Sequence, residues 1–323
     1  MVRTSRRHLL VAAAASLGPW RAEAQSSRPI RILVGFAAGG GNDLIARILA
    51  QKLSDGGPGP VLVENRTGAS GLIAADLLAK SAPDGTTLMV ASQTTYAVAP
   101  MLYKSTTFDP QRDVAGVAML GASPLVLIAS PSFGAKSLRE LIEMAKAKPG
   151  ALNFASGGVG TTPHMAAELF LFNAGIRMTH VSYRGEAPAI ADVLAGQVPL
   201  LFANVSVVTG QVKSGVLKAL AVTSPKRAPS LPDVPTLAES GVANSDVETW
   251  FGLTAPAATP RDTVQRLNAE VRRALAAPDV QPRFGEISLS VNPSSPEELD
   301  EIIKAEALRW AEVIRRAGIR APE

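Results

Sequence analysis

The sequence predicts an α/β fold of two lobes, each a mainly parallel sheet flanked by helices. Short apolar runs rich in β-branched residues alternate with amphipathic helical patterns almost to the end of the chain. The series restarts near the middle, and a glycine-rich loop occupies a corresponding position in each half. At 323 residues the chain is long enough for two cores of about 100 to 150 residues each.

The first series is predicted to contain three strands and two helices. The strands are expected at residues 30–36, 61–65 and 87–92, and the helices at 42–53 and 70–80. In the first helix, apolar residues recur at helical spacing, which fixes the face that packs on the sheet: Leu44, Ile45, Ile48, Leu49 and Leu53.

The second series repeats the alternation. Its strands are predicted at 124–130, 152–156, 178–183, 199–204 and 217–224, with helices between them at 137–148, 162–173, 187–195 and 206–213. Because ligands of open α/β sheets bind outside the carboxyl ends of the strands, we expect a site in the crevice between the two series.

The remaining chain is predicted to return to the first lobe. The proline-rich segment 224–241 is interpreted as an extended connection, followed by a strand at 250–256 and helices at 260–276 and 296–317 that pack on the first lobe. The predicted domains are therefore 25–124 with 225–323, and 125–224.

The first 24 residues have the three regions of an export signal. Basic residues come first, an apolar run covers Leu9–Leu17, and "AEA" at Ala22–Ala24 is a small-residue cleavage site. The mature chain is predicted to begin at Gln25 and to reach the periplasm. The adjacent Arg6 and Arg7 fit a twin-arginine signal as well as a Sec signal, so the export route stays open.

Composition excludes several functions. The net charge is +4, and removing the four arginines and one glutamate of the signal leaves about +1, which argues against nucleic-acid and membrane-surface partners. There is no cysteine, hence no disulfide and no thiolate metal site. We expect a soluble monomer without cofactor or metal.

Two glycine loops carry the main functional signal. "GFAAGGGND" at Gly35–Asp43 and "SGGVGTTPH" at Ser156–His164 each join a predicted strand to a helix. A helix N-terminus offers unpaired amides and partial positive charge, and glycines let an anion approach them. The alternative is that both loops are capped turns that bind nothing. Neither loop matches a dinucleotide or P-loop motif.

Catalytic motifs are sparse. The predicted mature chain has two histidines, and neither H-E-x-x-H nor G-x-S-x-G occurs. His180 is interpreted as a partly buried strand residue, whereas His164 either steadies the second loop or faces a ligand. Arg184 is a candidate anion contact, and Tyr183 a candidate wall of the site.

Six stretches, taken in order, resemble the Bug family, the periplasmic substrate-binding proteins of tripartite tricarboxylate transporters. They are "PIRILVGFAAGGGNDLIARILAQKL", "VLVENRTGASGLIAADLLAKSAPDGTTLMVAS", "LNFASGGVGTTPHMAAELF", "VSYRGEAPAIADVLAGQV", "LKALAVTSPKRAPSLPDVPTLAESG" and "WFGLTAPAATP". The likeness covers essentially the whole mature chain. It departs from the family at Asn42, where threonine is commoner, at "RTGAS", and at Ala203, where aspartate is frequent; these differences bear on the ligand rather than on the fold.

The resemblance implies a two-lobed, type II-like periplasmic-binding-protein fold that closes by hinge bending near residues 124–130 and 217–224. It implies a carboxylated ligand held by amides, hydroxyls and waters, and delivery to membrane permease subunits. The ligand-binding residues predicted from the loops and the resemblance are Phe36, Ala38, Gly39, Gly40, Asp43, Ser92, Thr94, Ser156, Gly158, Gly160, Thr161, Thr162, His164, Tyr183, Arg184, Gly185 and Asn204.

Two alternatives remain open from the sequence. One is an exported α/β enzyme that acts on a carboxylic substrate with His164 as acid or base. The other is a receptor that presents its ligand to a sensor kinase. The ligand could be a dicarboxylate, a tricarboxylate, an aromatic acid, an amino acid or a neutral compound, and the scarcity of basic residues near the loops disfavours a tricarboxylate.

Overall fold

The strands and helices follow the alternation expected from the sequence. The computed structural model describes residues 28–57, 59–103 and 106–320, so the predicted export signal lies outside the described residues. Within them the strands are β1 (Ile30–Val34), β2 (Val61–Asn65), β3 (Thr87–Ser92), β4 (Val114–Ala129), β5 (Asn153–Ser156), β6 (Thr179–Ser182), β7 (Leu200–Asn204), β8 (Lys218–Val222), β9 (Glu248–Pro256) and β10 (Ser290–Val291).

The helices come in two lengths. The long ones are α1 (Gly41–Gly56), α2 (Leu72–Ala79), α5 (Leu138–Ala147), α6 (Thr162–Ala174), α7 (Glu186–Leu194), α8 (Val205–Lys213), α9 (Arg261–Leu275) and α11 (Pro296–Ala317). The short ones, which the sequence pattern does not predict, are α3 (Ala99–Leu102), α4 (Pro110–Asp113), α10 (Gln281–Glu286) and a π-helical turn at Thr94–Val98.

Two sheets are joined through β4. The first sheet has the order β2-β1-β3-β9-β4, with β10 also on β4, and the second has β4-β7-β5-β6, with β8 also on β4. Residues 114–124 of β4 pair with β9, and residues 125–129 pair with β7 and β8. One strand therefore belongs to both sheets.

The sheets are mixed, and the expectation of mainly parallel sheets needs correction. β1, β2 and β3 are parallel, as are β5, β6 and β7, but β9 and β4 run antiparallel to their neighbours. The chain passes along β4 into the second sheet and comes back to the first sheet along β9. These two crossing strands therefore run in opposite directions and pair with each other. The first half of β4 was not predicted because "AGVAMLGA" (115–122) contains one β-branched residue.

Helices cover both faces of both sheets. In the first half, α1 and α9 pack on one face, and α2 with the start of α11 packs on the other. In the second half, α7 and α8 cover one face, and α5 and α6 the other. No helix in the described ranges is long and apolar enough to span a bilayer.

Two segments pack differently from the prediction. The proline-rich segment 224–241 is not a free connection, since Leu231 and Val234 are buried in the core of the second sheet. Helix α11 does not stay on the first half: Leu299 packs there, while Trp310, near the other end, is buried in the core that contains α5 and α6.

This topology concentrates helix starts at one place. Helices α1, α6, α7 and α8 each follow a strand directly, after β1, β5, β6 and β7. The starts of the three helices in the second half therefore face the start of α1 in the first.

Candidate ligand-binding site

An inner pocket lies between the two halves, where these four helices begin. It has room for about one water, with a volume of about 20 Å³. Its lining residues are Phe36, Gly40, Gly41, Asn42, Ser92, Thr94, Gly157, Thr161, Thr162, Pro163, Glu186, Asn204 and Thr249.

The first glycine loop is held in shape by Asp43. Its carboxylate accepts hydrogen bonds from the Gly39 amide (2.9 Å), Arg47 Nε (2.9 Å) and Asn65 Nδ2 (2.9 Å). Although burial alone would raise it, these hydrogen bonds hold the pKa of Asp43 below its usual value. Asp43 therefore serves the loop and does not line the pocket.

The start of α1 keeps free amides. Its N-cap, Gly40, has no side chain to accept a hydrogen bond. Among the described residues, the amides of Asn42 and Asp43 have no acceptor. Asn42 lines the pocket, so an anion there would meet an unpaired N–H and the positive end of the helix dipole.

A hydroxyl group within the second glycine loop fixes the conformation of that loop. Thr161 caps α6 through the His164 amide and donates its hydroxyl to the Gly158 carbonyl at 2.7 Å. Gly158 and Gly160 have φ of +138° and +76°, the left-handed region that favours glycine. The Gly157 amide, at the pocket wall, has no acceptor among the described residues.

His164 supports this loop from behind. Its Nδ1 accepts a hydrogen bond from the Gly160 amide at 3.1 Å, and its Nε2 lies 3.4 Å from Glu168 Oε1. The ring stacks on His180 with centroids 4.0 Å apart. Of the two roles expected for His164, steadying the loop is the one that its contacts support.

His180 is held neutral beneath the loop. Burial, with a smaller contribution from His164, lowers the pKa of His180 to about 3. Its Nε2 lies 2.7 Å from Ser156 Oγ, and its ring also stacks on Phe154. These contacts match the prediction of a partly buried strand residue.

Glu186 is a buried carboxylate in the pocket wall. It is the first residue of α7 and is 9% exposed. Oε1 accepts hydrogen bonds from the Asn204 amide (2.7 Å) and Asn204 Nδ2 (2.9 Å), and Oε2 accepts a longer one from the Gly41 amide (3.4 Å). Burial raises the pKa of Glu186, and these hydrogen bonds oppose the rise.

A second, outer pocket adjoins the first. Its volume is about 440 Å³, and Phe36 and Gly157 line both pockets. Ser70, Tyr183 and Arg184 are among its other lining residues. The Tyr183 hydroxyl donates to Asp192 at 2.6 Å, and burial, followed by this contact, raises the pKa of Tyr183 to about 12.

The two halves touch across the cleft at several points. Thr94 Oγ1 lies 3.0 Å from Thr162 Oγ1 and accepts from the Thr162 amide at 2.8 Å. Ser70 Oγ donates to the Val159 carbonyl at 2.5 Å. A Cβ added to Gly185 would lie 2.9 Å from the Cβ of Ala37. The structure is therefore closed around the small inner pocket.

The predicted site residues divide into three groups. Seven line the inner pocket: Phe36, Gly40, Ser92, Thr94, Thr161, Thr162 and Asn204. Three line the outer pocket without reaching the inner one: Gly158, Tyr183 and Arg184. Seven line neither and lie in the surrounding loops: Ala38, Gly39, Asp43, Ser156, Gly160, His164 and Gly185.

Six further lining residues were absent from the predicted set: Gly41, Asn42, Gly157, Pro163, Glu186 and Thr249. Four of them lie inside the two quoted loops, so a prediction that took every residue of those loops includes them. Glu186 directly follows the predicted Tyr183–Gly185 segment, and its position at the start of a helix was a usable signal. Thr249 has no local signal, because only the path of β9 brings it here.

The fold and the cleft define a two-lobed solute-binding protein, and comparisons with known proteins support that class. The chain is 32% identical to R. palustris Rpa4515 with adipate, with a TM-score of 0.89 over 92% of this chain and 100% of that one. It is 32% identical to MatC from Rhodopseudomonas palustris with bound malate, with a TM-score of 0.85 over 90% and 99%.

Sequence comparison places the chain within one family. Residues 45–319 match the model of the tripartite tricarboxylate transporter family receptor, TctC. The chain is also 36% identical to Protein BugT of Bordetella pertussis, over 97% of this chain and 96% of that protein. The chain belongs to the TctC receptor family, as its motifs indicated.

Proposed function

We propose that this chain is a periplasmic receptor that captures a small carboxylate between its two halves and delivers it to a tripartite tricarboxylate-type permease. The observation that carries the proposal is the pair of adjoining pockets between the halves, the inner of which is lined by the N-terminal turns of helices from both halves and the outer of which has a volume of about 440 Å³. The adipate and malate in two related structures support a carboxylate as the ligand class.

Because helix starts lie in both halves, ligand binding favours the closed state. A carboxylate between the Asn42 and Gly157 amides would contact the first half and the second half at once. Because an open cleft offers one set of contacts and a closed cleft offers both, ligand binding shifts the population toward the closed state.

The proposed lobes are residues 28–124 with 248–320, and residues 125–247. This division follows the pairing of β4 and the burial of the 224–241 segment in the second half. The proposed hinge is where the chain crosses between them: the Leu125 amide donates to Thr223 Oγ1 at 3.0 Å, and the Val247 amide donates to the Thr223 carbonyl at 3.0 Å.

A receptor role accounts for the site better than an enzymatic one. The histidine that could act as acid or base, His164, is engaged with Gly160 and does not line either pocket. Residues 1–24 are proposed to be an export signal that is removed, which puts the receptor in the compartment where it meets its ligand.

A thermal-shift screen of the chain without its first 24 residues tests this proposal. Carboxylic acids are compared with their neutral amides, after any bound compound is removed by unfolding and refolding. An acid at one hundred times its Kd should stabilise the protein by about 2.7 kcal/mol, and its amide should not. Mass spectrometry should recover the acid unchanged. Conversion of the acid, or stabilisation by no acid, would contradict the proposal.

A further inference from the structure

The acidic wall of the inner pocket is not explained by binding of a carboxylate alone. Glu186 lies where the starts of α1, α7 and α8 meet, and its carboxylate already accepts hydrogen bonds from Gly41 and Asn204. A ligand carboxylate in this pocket would share the same helix termini with the Glu186 carboxylate. Two carboxylates in one buried site repel each other unless a cation or a proton intervenes.

No lysine or arginine in the described part of the chain balances Glu186. Among the described residues, neither lysine nor arginine forms an ion pair with it, and its hydrogen-bond donors are neutral amides. A buried carboxylate compensated by neutral donors alone is costly. A positively charged group brought by a ligand would remove much of this cost.

Further acceptors line the same pocket. Asn204 Oδ1 and Thr249 Oγ1 are buried and have no hydrogen-bond partner among the residues that the structure describes, and their residues are 5% and 2% exposed. Both residues line the inner pocket with Glu186. The assignment of the Asn204 amide is fixed by its Nδ2, which donates to Glu186 at 2.9 Å. Glu186 Oε2 has one long contact, so it can accept another donor.

The pocket therefore offers two chemically different kinds of group side by side. Asn42 and Gly157 offer amides that have no acceptor among the described residues, while Glu186, Asn204 and Thr249 offer acceptors, and Gly157 lies against Glu186. An ammonium group has three donors and a positive charge, and these acceptors can satisfy both.

We propose that Glu186 makes the receptor selective for carboxylates that also carry a cationic nitrogen close to the carboxyl group, such as amino acids. The ligand's carboxylate accepts from the free Asn42 and Gly157 amides, and its ammonium donates to Glu186 and Asn204. This inference rests on the proposed function, because it assumes that a carboxylate occupies the inner pocket.

Calorimetric titration with matched pairs of acids tests the selectivity. Each pair differs by one amino group: L-aspartate and succinate, L-glutamate and glutarate, L-alanine and propionate. In the pair that binds best, the amino acid should bind at least about tenfold more tightly than the acid without the amino group. A difference of this size is typical of a charged hydrogen bond.

Substitution of Glu186 identifies the residue responsible. Glu186→Gln keeps the shape of the side chain and should remove most of the tenfold difference by weakening the amino member. Glu143→Gln, an exposed substitution on α5, removes the same charge far from the cleft and should leave both affinities unchanged. Unfolding midpoints of the variants establish that each is folded.

The outcomes separate this inference from the proposed function. Equal binding of both members of every pair, or an unchanged preference in Glu186→Gln, would overturn the role of Glu186 while a carboxylate receptor stands. If none of these acids binds and no acid in the thermal-shift screen stabilises the protein, both are overturned.

Discussion

His180 and His164 show how single residues support a binding loop without entering the pocket. The two rings stack beneath the second glycine loop, where His164 accepts from the Gly160 amide and His180 contacts Ser156. Burial, followed by the nearby His164, lowers the pKa of His180 to about 3. One of the residues beneath the loop is therefore held neutral by the fold.

Substitution of His180 tests this arrangement through pH. Its pKa of about 3 in the folded protein lies below the 6.5 of a free histidine, so between these values the unfolded chain binds a proton that the folded protein does not. Stability should therefore fall as the pH is lowered below 6.5, by up to about 1.4 kcal/mol for each pH unit. His180→Gln should lose this part of the pH dependence.

Urea unfolding at pH 7 and pH 5 measures the effect. The difference in unfolding free energy between wild type and His180→Gln should change between the two pH values, because carboxylates titrate alike in both proteins. A constant difference would show that His180 is not held neutral by the fold.

At the scale of elements, local patterns predicted the helices and strands that have a clear period. Helix α11 was placed at its observed bounds, because a capping box at Ser295 and Glu298 starts it and Gly318 ends it. The early part of β4 was missed, because alanine and glycine carry little strand signal. The π-helical turn after β3 was missed as well, because nothing in "TTYAV" (94–98) marks it.

The packing of α11 shows that the helical spacing of apolar residues does not predict which cores a helix packs against. The pattern shows an apolar face but not which partners it covers, and the helix reaches from the core around Leu299 to the core around Trp310. It therefore packs against both halves of the protein. A long helix with two cores along its length should stabilise the whole protein.

Trp310→Ala should destabilise the protein by about 3 to 5 kcal/mol, because it empties a fully buried site. Leu308→Ala, on the same helix but 72% exposed, is the matched control and should change stability by less than about 0.5 kcal/mol. Guanidinium unfolding of both variants makes the comparison. Equal losses would contradict the burial of Trp310 in the core that contains α5 and α6.

At the scale of the whole molecule, the fold class and the family could be predicted, and residues of both glycine loops line the pocket between the halves. What the sequence could not supply was the contact between halves that are distant along the chain. Thr249 enters the pocket through β9, and Glu186 turns toward the start of α1, so both depend on how the halves close. The helix start marks Glu186 locally, but its contact with Gly41 and the position of Thr249 depend on the tertiary fold.

Gly185 is a point of close approach between the halves. Its φ is +135°, and an added Cβ would lie 2.9 Å from Ala37 Cβ and 3.3 Å from the Ala37 amide nitrogen. Gly185→Ala should therefore hold the cleft partly open and weaken ligand binding at least about tenfold, because contacts to both halves are no longer made together.

Small-angle scattering and calorimetry measure the two effects. Gly150→Ala is the control for a left-handed glycine, since its φ is +79° and an added Cβ there meets nothing within 4 Å. We expect the ligand-induced decrease in radius of gyration in wild type and Gly150→Ala, and its loss in Gly185→Ala. Full closure of Gly185→Ala with wild-type affinity would exclude this contact as a determinant of closure.

We propose that helix starts from both halves hold the ligand's carboxylate. A crystal structure of the protein with the acid found in the thermal-shift screen is the decisive measurement. We expect carboxylate oxygens within 3.2 Å, an ordinary hydrogen-bond distance, of the Asn42 amide in one half and the Gly157 amide in the other. A carboxylate bound in the outer pocket alone, or contacting one half while the other stands away, would contradict it.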